Sequence, residues 1–191
     1  SFILRKFMSK SALKILTTAE HLFNQHSFTG VGVDLIRDVS GCSKTTLYSH
    51  YKNKQQLIVA VLKKRDEKFQ GDLQAALDGL SGIEAILALI NWHVAWFLQD
   101  DFKGCLFVRA VAETDDSHEA IVQIAQQHKY MIYQRVGQSC QQIQQGQWTD
   151  LIYTLIEGLI SRCLIEGVKP VWIEQMKMQI QQLLLGKESQ V

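Results

Sequence analysis

A run of polar and basic side chains between residues 44 and 54 has the chemistry to bind an anionic polymer. Its members are Lys44, Thr45, Thr46, Tyr48, His50 and Lys54. Hydroxyl, imidazole and ammonium groups donate hydrogen bonds to phosphate oxygens, and side chains of these types also contact base edges. Leu47 and Tyr51 interrupt the run at helical spacing. The segment can therefore bury one face of a helix and expose the other.

Charge is distributed unevenly along the 191 residues, although the formal total is only +1. Residues 1–68 contain twelve Lys and Arg against five Asp and Glu, a net charge of +7, and the remainder carries −6. This division predicts a basic module that meets a polyanion, attached to a module with another role. A basic surface that serves only solubility is the alternative.

The composition predicts an all-α protein. The chain has one proline, ordinary globular proportions of 47% hydrophobic and 20% charged residues, and almost no alternating strand pattern. Because it lacks an apolar run of about 18 residues, we expect no membrane span. The N-terminal apolar stretch is too short for a signal peptide. Four widely spaced cysteines favour a reducing compartment, so we expect a cytoplasmic protein.

Hydrophobic periodicity predicts nine helices. They cover about residues 9–26, 33–40, 44–51, 54–77, 83–99, 102–114, 118–144, 148–166 and 172–185. In the second helix we expect Val33, Ile36 and Val39 to be buried. The first three helices form a predicted domain over residues 1–53, and the long helix from residue 54 leads into a second domain over 54–191.

The second and third helices are joined by a turn that suits a helix-turn-helix. Gly41 can adopt the left-handed backbone that the turn requires, and Cys42 is small enough to pack between the helices. Ser43 is a predicted N-cap that leaves free N–H groups in the first turn for phosphate, and Asn53 is a predicted cap for the following helix.

The segment VDLIRDVSGCSKTTLYSHYKNKQQLIVAVL resembles the helix-turn-helix of the tetracycline-repressor (TetR) family of bacterial regulators. The resemblance spans about residues 10–62 and is carried by the preceding Thr18-Ala19-Glu20-His21-Leu22-Phe23 and by Gly41, Ser43, Lys44, Thr46, Leu47, Tyr48 and Lys54. The chain departs from the family pattern at Gly32, Arg37, Ser40, His50 and Tyr51.

The resemblance implies a ligand-responsive, homodimeric DNA-binding regulator, most often a repressor, whose partners are duplex DNA and a small-molecule effector. It implies that Lys44, Thr45 and Tyr48 face bases and nearby backbone. Thr46, His50 and Lys54 would hold phosphates. A plain helical or surface role is the alternative for each residue, and a sequence-tolerant architectural DNA binder is the alternative for the whole chain.

The C-terminal helices have the pattern of a dimer interface and an effector site. Their apolar faces are wider than one intramolecular core needs, and the resemblance implies a four-helix contact between two chains. The interface prediction names Leu155, Leu159, Cys163, Trp172, Met176 and Ile180. Aromatic and polar residues that could line an effector cavity are Trp92, His93, Trp96, Cys105, Phe107, Arg109 and Met131. An ordinary core is the alternative for both sets.

Cys105 is a candidate thiol sensor of electrophiles or oxidants, since it begins a predicted helix whose dipole lowers a thiol pKa. A buried inert cysteine is the alternative. The acidic cluster Glu113, Asp115, Asp116, His118 and Glu119 lacks the spacing of a metal site, and Asp116 or Ser117 is better explained as a helix cap. Neither a catalytic triad nor a nucleotide-binding glycine motif is present. We therefore expect no enzyme, cofactor or metal.

Overall fold

A computed structural model describes residues 8–114 and 119–186, and these residues form an all-α fold without strands. The helices, numbered here in chain order, are α1 (Lys10–His26), α2 (Val33–Ser40), α3 (Lys44–His50), α4 (Lys54–Leu77), α5 (Gly82–Phe97), α6 (Leu106–Glu113), α7 (Glu119–Gln142), α8 (Thr149–Glu166) and α9 (Pro170–Leu184), with a short 3₁₀ helix at Gly146–Trp148. The all-α prediction is confirmed.

The described residues divide into two compact units. The first unit contains the residues up to Gly71 together with Cys105–His128, and the second contains Asp72–Gly104 and the residues from Lys129 onward. This division differs from the predicted boundary at residue 54, because the first unit also includes most of α4, all of α6 and the start of α7.

In the first unit, α2 and α3 pack on α1 and on each other. Ser9 caps α1 by accepting a hydrogen bond from the Ala12 N–H, at 3.1 Å. The buried face of α1 includes Phe23, whose ring centroid lies 4.9 Å from that of Phe28 in the following turn. Apolar packing against α1 thus stabilises α2 and α3, which are too short to be stable as isolated helices.

In the second unit, α5 packs against α8 and α9. The fully buried side chains Ile86, Leu89 and Ile90 of α5 lie in the same unit as Ile152 and Ile156 of α8, which are also fully buried. These long helices derive their stability from apolar faces rather than from side-chain caps.

Two sequence predictions are wrong in detail. Val39 is 56% exposed, although Ile36 on the same helix is fully buried as expected. Helix α6 begins at Leu106 instead of near Phe102, because Gly104 has a φ of +78° and Cys105 is extended. The predicted caps Asp116 and Ser117 lie outside the described residues.

Candidate nucleic-acid interface

Local backbone signals position the candidate interface on α3. Gly41 ends α2 in the left-handed conformation, with φ of 62° and ψ of 18°. The Ser43 hydroxyl then caps α3 by accepting the Thr46 N–H at 3.0 Å, which satisfies one of the free donors of the first turn. Leu47 is fully buried and fixes the rotation of the helix. Both the turn and the cap are as the sequence predicts.

This rotation exposes most of the polar residues predicted to bind DNA. Lys44, Thr45, Tyr48 and His50 are exposed, and Thr46 is half-buried. They occupy consecutive turns of one short helix that begins with a capped, positively polarised N-terminus. Helix α3 therefore exposes hydrogen-bond donors and a cation.

Lys44 is held beside an acidic residue of α2. Its ammonium Nζ donates to Asp34 Oδ1 at 3.2 Å, and Arg37 Nη1 donates to the same oxygen at 2.9 Å. Arg37 also hydrogen-bonds to Asp38, which lowers the pKa of the Asp38 carboxyl. These pairs are exposed, so they orient the cations more than they stabilise the fold.

His50 lies against the beginning of α1. Its Nε2 is 2.8 Å from the Ser11 hydroxyl and 3.2 Å from that of Ser9, the residue that caps α1. Sequence reasoning missed this contact, because the partners are about forty residues apart and carry no local signal. The phosphate role of His50 stays a prediction, and its ring also links α3 to α1.

Lys54 is the first residue of α4 and is half-buried. Burial lowers the pKa of its ammonium group, while the negative charge of Glu113 opposes that shift. Asn53 precedes it and accepts the Gln56 N–H at 2.8 Å, so the predicted cap of the long helix is confirmed. Lys54 thus has a defined place at the start of α4, and its phosphate role stays a prediction.

The predicted effector residues belong to both units. Trp92, His93, Trp96 and Met131 are in the second unit. The rings of Trp92 and Trp96 are 6.5 Å apart, and Trp96 meets Phe102 edge-to-face at 5.0 Å. His93 is fully buried, with Nδ1 at hydrogen-bond distance, 2.8 Å, from the Leu89 carbonyl oxygen. The second unit therefore contains an aromatic cluster around a buried imidazole.

The other predicted effector residues, Cys105, Phe107 and Arg109, are in the first unit. Cys105 is the N-cap residue of α6 and is 8% exposed. Phe107 stacks on the ring of His128, with centroids 3.7 Å apart. Arg109 instead hydrogen-bonds to main-chain carbonyl oxygens of α1. An effector role of these residues is untested.

The predicted dimer residues differ in exposure. Leu159, Cys163 and Ile180 are buried within the chain itself, and burial raises the pKa of the Cys163 thiol. Leu155, Trp172 and Met176 are half-buried. Large apolar side chains of α8 and α9 are also exposed, and we call this set the α8–α9 face: Leu151, Leu164, Ile165, Val171 and Met178.

Sequence reasoning missed Glu113 as a structural residue. In the sequence it is one member of an acidic cluster, yet its carboxylate binds the turn after α1, about 85 residues away. No local pattern could indicate this contact. Among the described residues, no group of three or more side chains is arranged to hold a metal ion, and no helix is long and apolar enough to cross a membrane.

Comparison with known proteins identifies the same segment. Residues 15–61 match the family described as bacterial regulatory proteins, tetR family. The HTH-type transcriptional regulator LmrA of Bacillus subtilis is 25% identical over 158 residues, which cover 76% of this chain and 81% of LmrA.

The whole fold also resembles solved structures. SCO4454, a TetR-family transcriptional regulator from Streptomyces coelicolor, matches with a TM-score of 0.82 and 22% identity, covering 94% of this chain and 96% of its own. The reduced form of NemR from Escherichia coli matches with a TM-score of 0.78 and 20% identity, covering 91% and 96% of the two chains. The chain therefore shares the all-α fold of these regulators, and its helix-turn-helix segment at residues 15–61 is similar to the tetR family of bacterial regulatory proteins.

Proposed function

We propose that the chain regulates transcription by sequence-specific DNA binding, with α3 inserted into the major groove. Lys44, Thr45 and Tyr48 contact bases and nearby backbone in this proposal, and Thr46, His50 and Lys54 contact phosphates. The observation that carries it is the exposed polar surface of α3, held in a fixed rotation by buried Leu47 and the Ser43 cap. The regulator acts in the cytoplasm, where bacterial DNA lies.

The regulator works as a homodimer, because two half-sites supply the specificity that one short helix lacks. The α8–α9 face supports this assembly, since it leaves large apolar side chains exposed, including Ile165 at 83%. Gly158 lies within α8, and a β-carbon added there would meet no atom of the chain within 4 Å. A glycine in an exposed apolar helix face allows a partner helix to approach closely.

Binding of a small apolar or aromatic effector releases the DNA in this proposal, so the regulator is a repressor. The aromatic cluster of Trp92, Trp96 and Phe102 supports an effector of that class, because aromatic rings with few polar groups favour such ligands. Helix α4 contributes residues to both units and begins at Lys54. Displacement of α4 would change the spacing of the two α3 helices in the dimer and lower DNA affinity.

Selection of duplexes from a random pool tests DNA recognition directly. We expect a palindromic consensus whose half-sites are separated by about one helical turn. A Thr45→Ala variant removes one proposed base contact, so it should relax the base preference within each half-site. A pool that shows no enrichment, with similar affinity for every duplex, would favour the architectural DNA binder instead.

Effector binding is tested with a panel of aromatic and apolar compounds screened by thermal shift. Compounds that stabilise the protein are then added to a complex with the selected duplex. We expect release of the duplex and loss of stabilisation in a Trp96→Ala variant. A compound that binds the protein and leaves DNA affinity unchanged would contradict the repressor mechanism.

A thiol-based sensor is the second candidate, favoured by the position of Cys105 as N-cap of α6. Its 8% exposure favours slow reaction. The sensor hypothesis requires rapid labelling by a thiol reagent that is absent in Cys105→Ser and coincides with loss of DNA binding. Labelled protein that still binds its duplex would exclude it.

A further inference from the structure

The carboxylate of Glu113, the last residue of α6, binds the turn that joins α1 to α2. Its Oε2 accepts the main-chain N–H groups of Phe28 at 2.7 Å and Thr29 at 3.0 Å, and the Thr29 hydroxyl at 3.3 Å. Three donors thus converge on one ionised oxygen. Hydrogen bonds to a charged acceptor are stronger than those between neutral groups.

Arg109, one helical turn earlier in α6, binds the end of α1. Its Nη1 donates to the Asn24 carbonyl oxygen at 2.9 Å, and its Nη2 donates to that of Phe23 at 3.3 Å. These carbonyls are in the last turn of α1, where the helix dipole favours a cation. Arg109 Nε is also 3.7 Å from Glu113 Oε1. The two side chains therefore hold both sides of one turn.

The contact is more than a surface ion pair. The side chains of Arg109 and Glu113 are 25% and 21% exposed, and Phe28 in the turn is almost fully buried. The turn has little space for rearrangement, because a β-carbon added at Gly30 would lie 2.7 Å from the His26 carbonyl oxygen. It leads directly into Gly32, the N-cap residue of α2.

We propose that Arg109 and Glu113 are positioning residues for DNA binding, which fix the α1–α2 turn and thereby the orientation of α2 and α3. Since α3 packs on α2 and α1, a change at the turn is transmitted to the DNA-contacting side chains. Burial lowers the pKa of Lys54, a predicted phosphate contact, and the negative charge of Glu113 partly opposes that shift, so α6 also acts on this region electrostatically. The inference rests on the proposed DNA-binding function.

The test combines amide exchange with DNA affinity in three variants. Glu113→Ala removes the acceptor and its charge, Glu113→Gln removes the charge and keeps an acceptor, and Glu119→Ala is the matched control. Glu119 is an exposed carboxylate in the same unit, and its Oε1 accepts a hydrogen bond from Gln123 Nε2 of its own helix at 3.1 Å. Hydrogen exchange is followed at the Phe28, Thr29 and Leu47 amides, and affinity is measured by fluorescence anisotropy with a duplex selected by the wild-type chain.

We expect Glu113→Ala to speed exchange at Phe28 and Thr29 and to weaken duplex binding, each by about tenfold. The Leu47 amide, bonded to the Ser43 carbonyl oxygen, should exchange as in wild type and so show that α3 remains folded. Glu113→Gln should lie between wild type and Glu113→Ala, and Glu119→Ala should match wild type.

Several results would overturn the inference. One is faster exchange at the turn with unchanged duplex affinity, and another is unchanged exchange at Phe28 and Thr29. A third is tighter binding by all three variants, which indicates a charge effect alone. If the Leu47 amide also exchanges faster in Glu113→Ala, α3 is no longer intact in that variant, and Arg109→Lys is used in its place. Unchanged duplex affinity in Arg109→Lys, with faster exchange at the turn, would then overturn the inference. A wild-type chain that binds no duplex would instead contradict the proposed function.

Discussion

The helix-turn-helix and the second unit position their side chains by different physical means. In the segment from Gly41 to Gln56, turns and caps are made by neighbours in sequence, as in Ser43 with Thr46 and Asn53 with Gln56. In the second unit, the helices are long and depend on apolar faces that meet across large sequence distances. Local chemistry thus sets the bounds of the helix proposed to bind DNA, whereas packing determines the helices proposed to bind effector and partner.

Truncation of a core leucine in each region gives the largest expected effect. Leu47→Ala and Leu89→Ala each remove a fully or almost fully buried side chain, so each should lower the free energy of unfolding by about 2–5 kcal/mol. Urea unfolding measures that cost. Only Leu47→Ala should abolish duplex binding while the protein is still folded. Equal loss of binding in both variants would remove the distinction between the regions.

Gly158→Leu fills the space that we propose a partner chain occupies. We expect dimerisation to weaken by about tenfold to a hundredfold, because overpacked contacts lose about 1–3 kcal/mol. Sedimentation equilibrium measures the change. Gly71→Leu is the control, since its added β-carbon also meets no atom within 4 Å. Unchanged dimerisation in Gly158→Leu would show that the α8–α9 face is not the interface.

Ser43→Ala removes the cap of α3 and should destabilise the first unit by about 1 kcal/mol. Duplex affinity should also fall, because the first turn of α3 is less stable without the cap. Ser49→Ala is the matched control, because its hydroxyl donates only within α3, to the Thr46 carbonyl oxygen at 2.8 Å. If the two variants bind the duplex equally well, the local cap does not position the interface.

Tyr51 links the end of α3 to α1 and gives a pH dependence. Its buried hydroxyl donates to the Ala12 carbonyl oxygen at 3.1 Å, and burial raises its pKa above the ordinary 10.0. The neutral phenol therefore stabilises the fold below that value, and this contribution is lost as pH rises through the folded pKa. Tyr51→Phe should lower the free energy of unfolding by about 1 kcal/mol at neutral pH. The variant should also lose less stability than the wild type as the pH rises above 10, as measured by urea unfolding. An identical alkaline loss in both proteins would contradict this assignment.

Lys44→Ala gives the smallest expected effect. Because Lys44 is proposed to contact the DNA backbone near the bases, removal of its charge should lower the slope of log affinity against log salt by about one, with little change in stability. Anisotropy titrations at several salt concentrations measure the slope. Lys103→Ala removes an exposed cation of the second unit and should leave the slope unchanged. Equal slopes for both variants would exclude Lys44 from the interface.

Sequence patterns predict the features that depend on near neighbours. The Gly41 turn, the Ser43 and Asn53 caps and the bounds of α2 and α4 are all of this kind. The predicted burial of Val39 is wrong, because helical periodicity identifies an apolar residue without showing whether another element covers it. Gly104 in the sequence indicates that α6 starts late, but the hydrophobic periodicity predicts an earlier start near Phe102.

Contacts between distant segments leave no such signal. Arg109 lies near aromatic residues in the sequence, and this favours an effector site, yet its guanidinium binds carbonyl oxygens of α1. Glu113 is one of several acidic residues in its segment, and only the folded chain brings it to the Phe28 and Thr29 amides. The residues proposed to position the helix-turn-helix therefore required the structure.

The central claim is that the surface of α3 discriminates between DNA sequences. The most direct measurement is the affinity of the dimer for its selected palindrome and for a shuffled duplex of the same composition, at matched salt concentration. We predict a preference of at least about a thousandfold for the palindrome. Equal affinity for the two duplexes would contradict it.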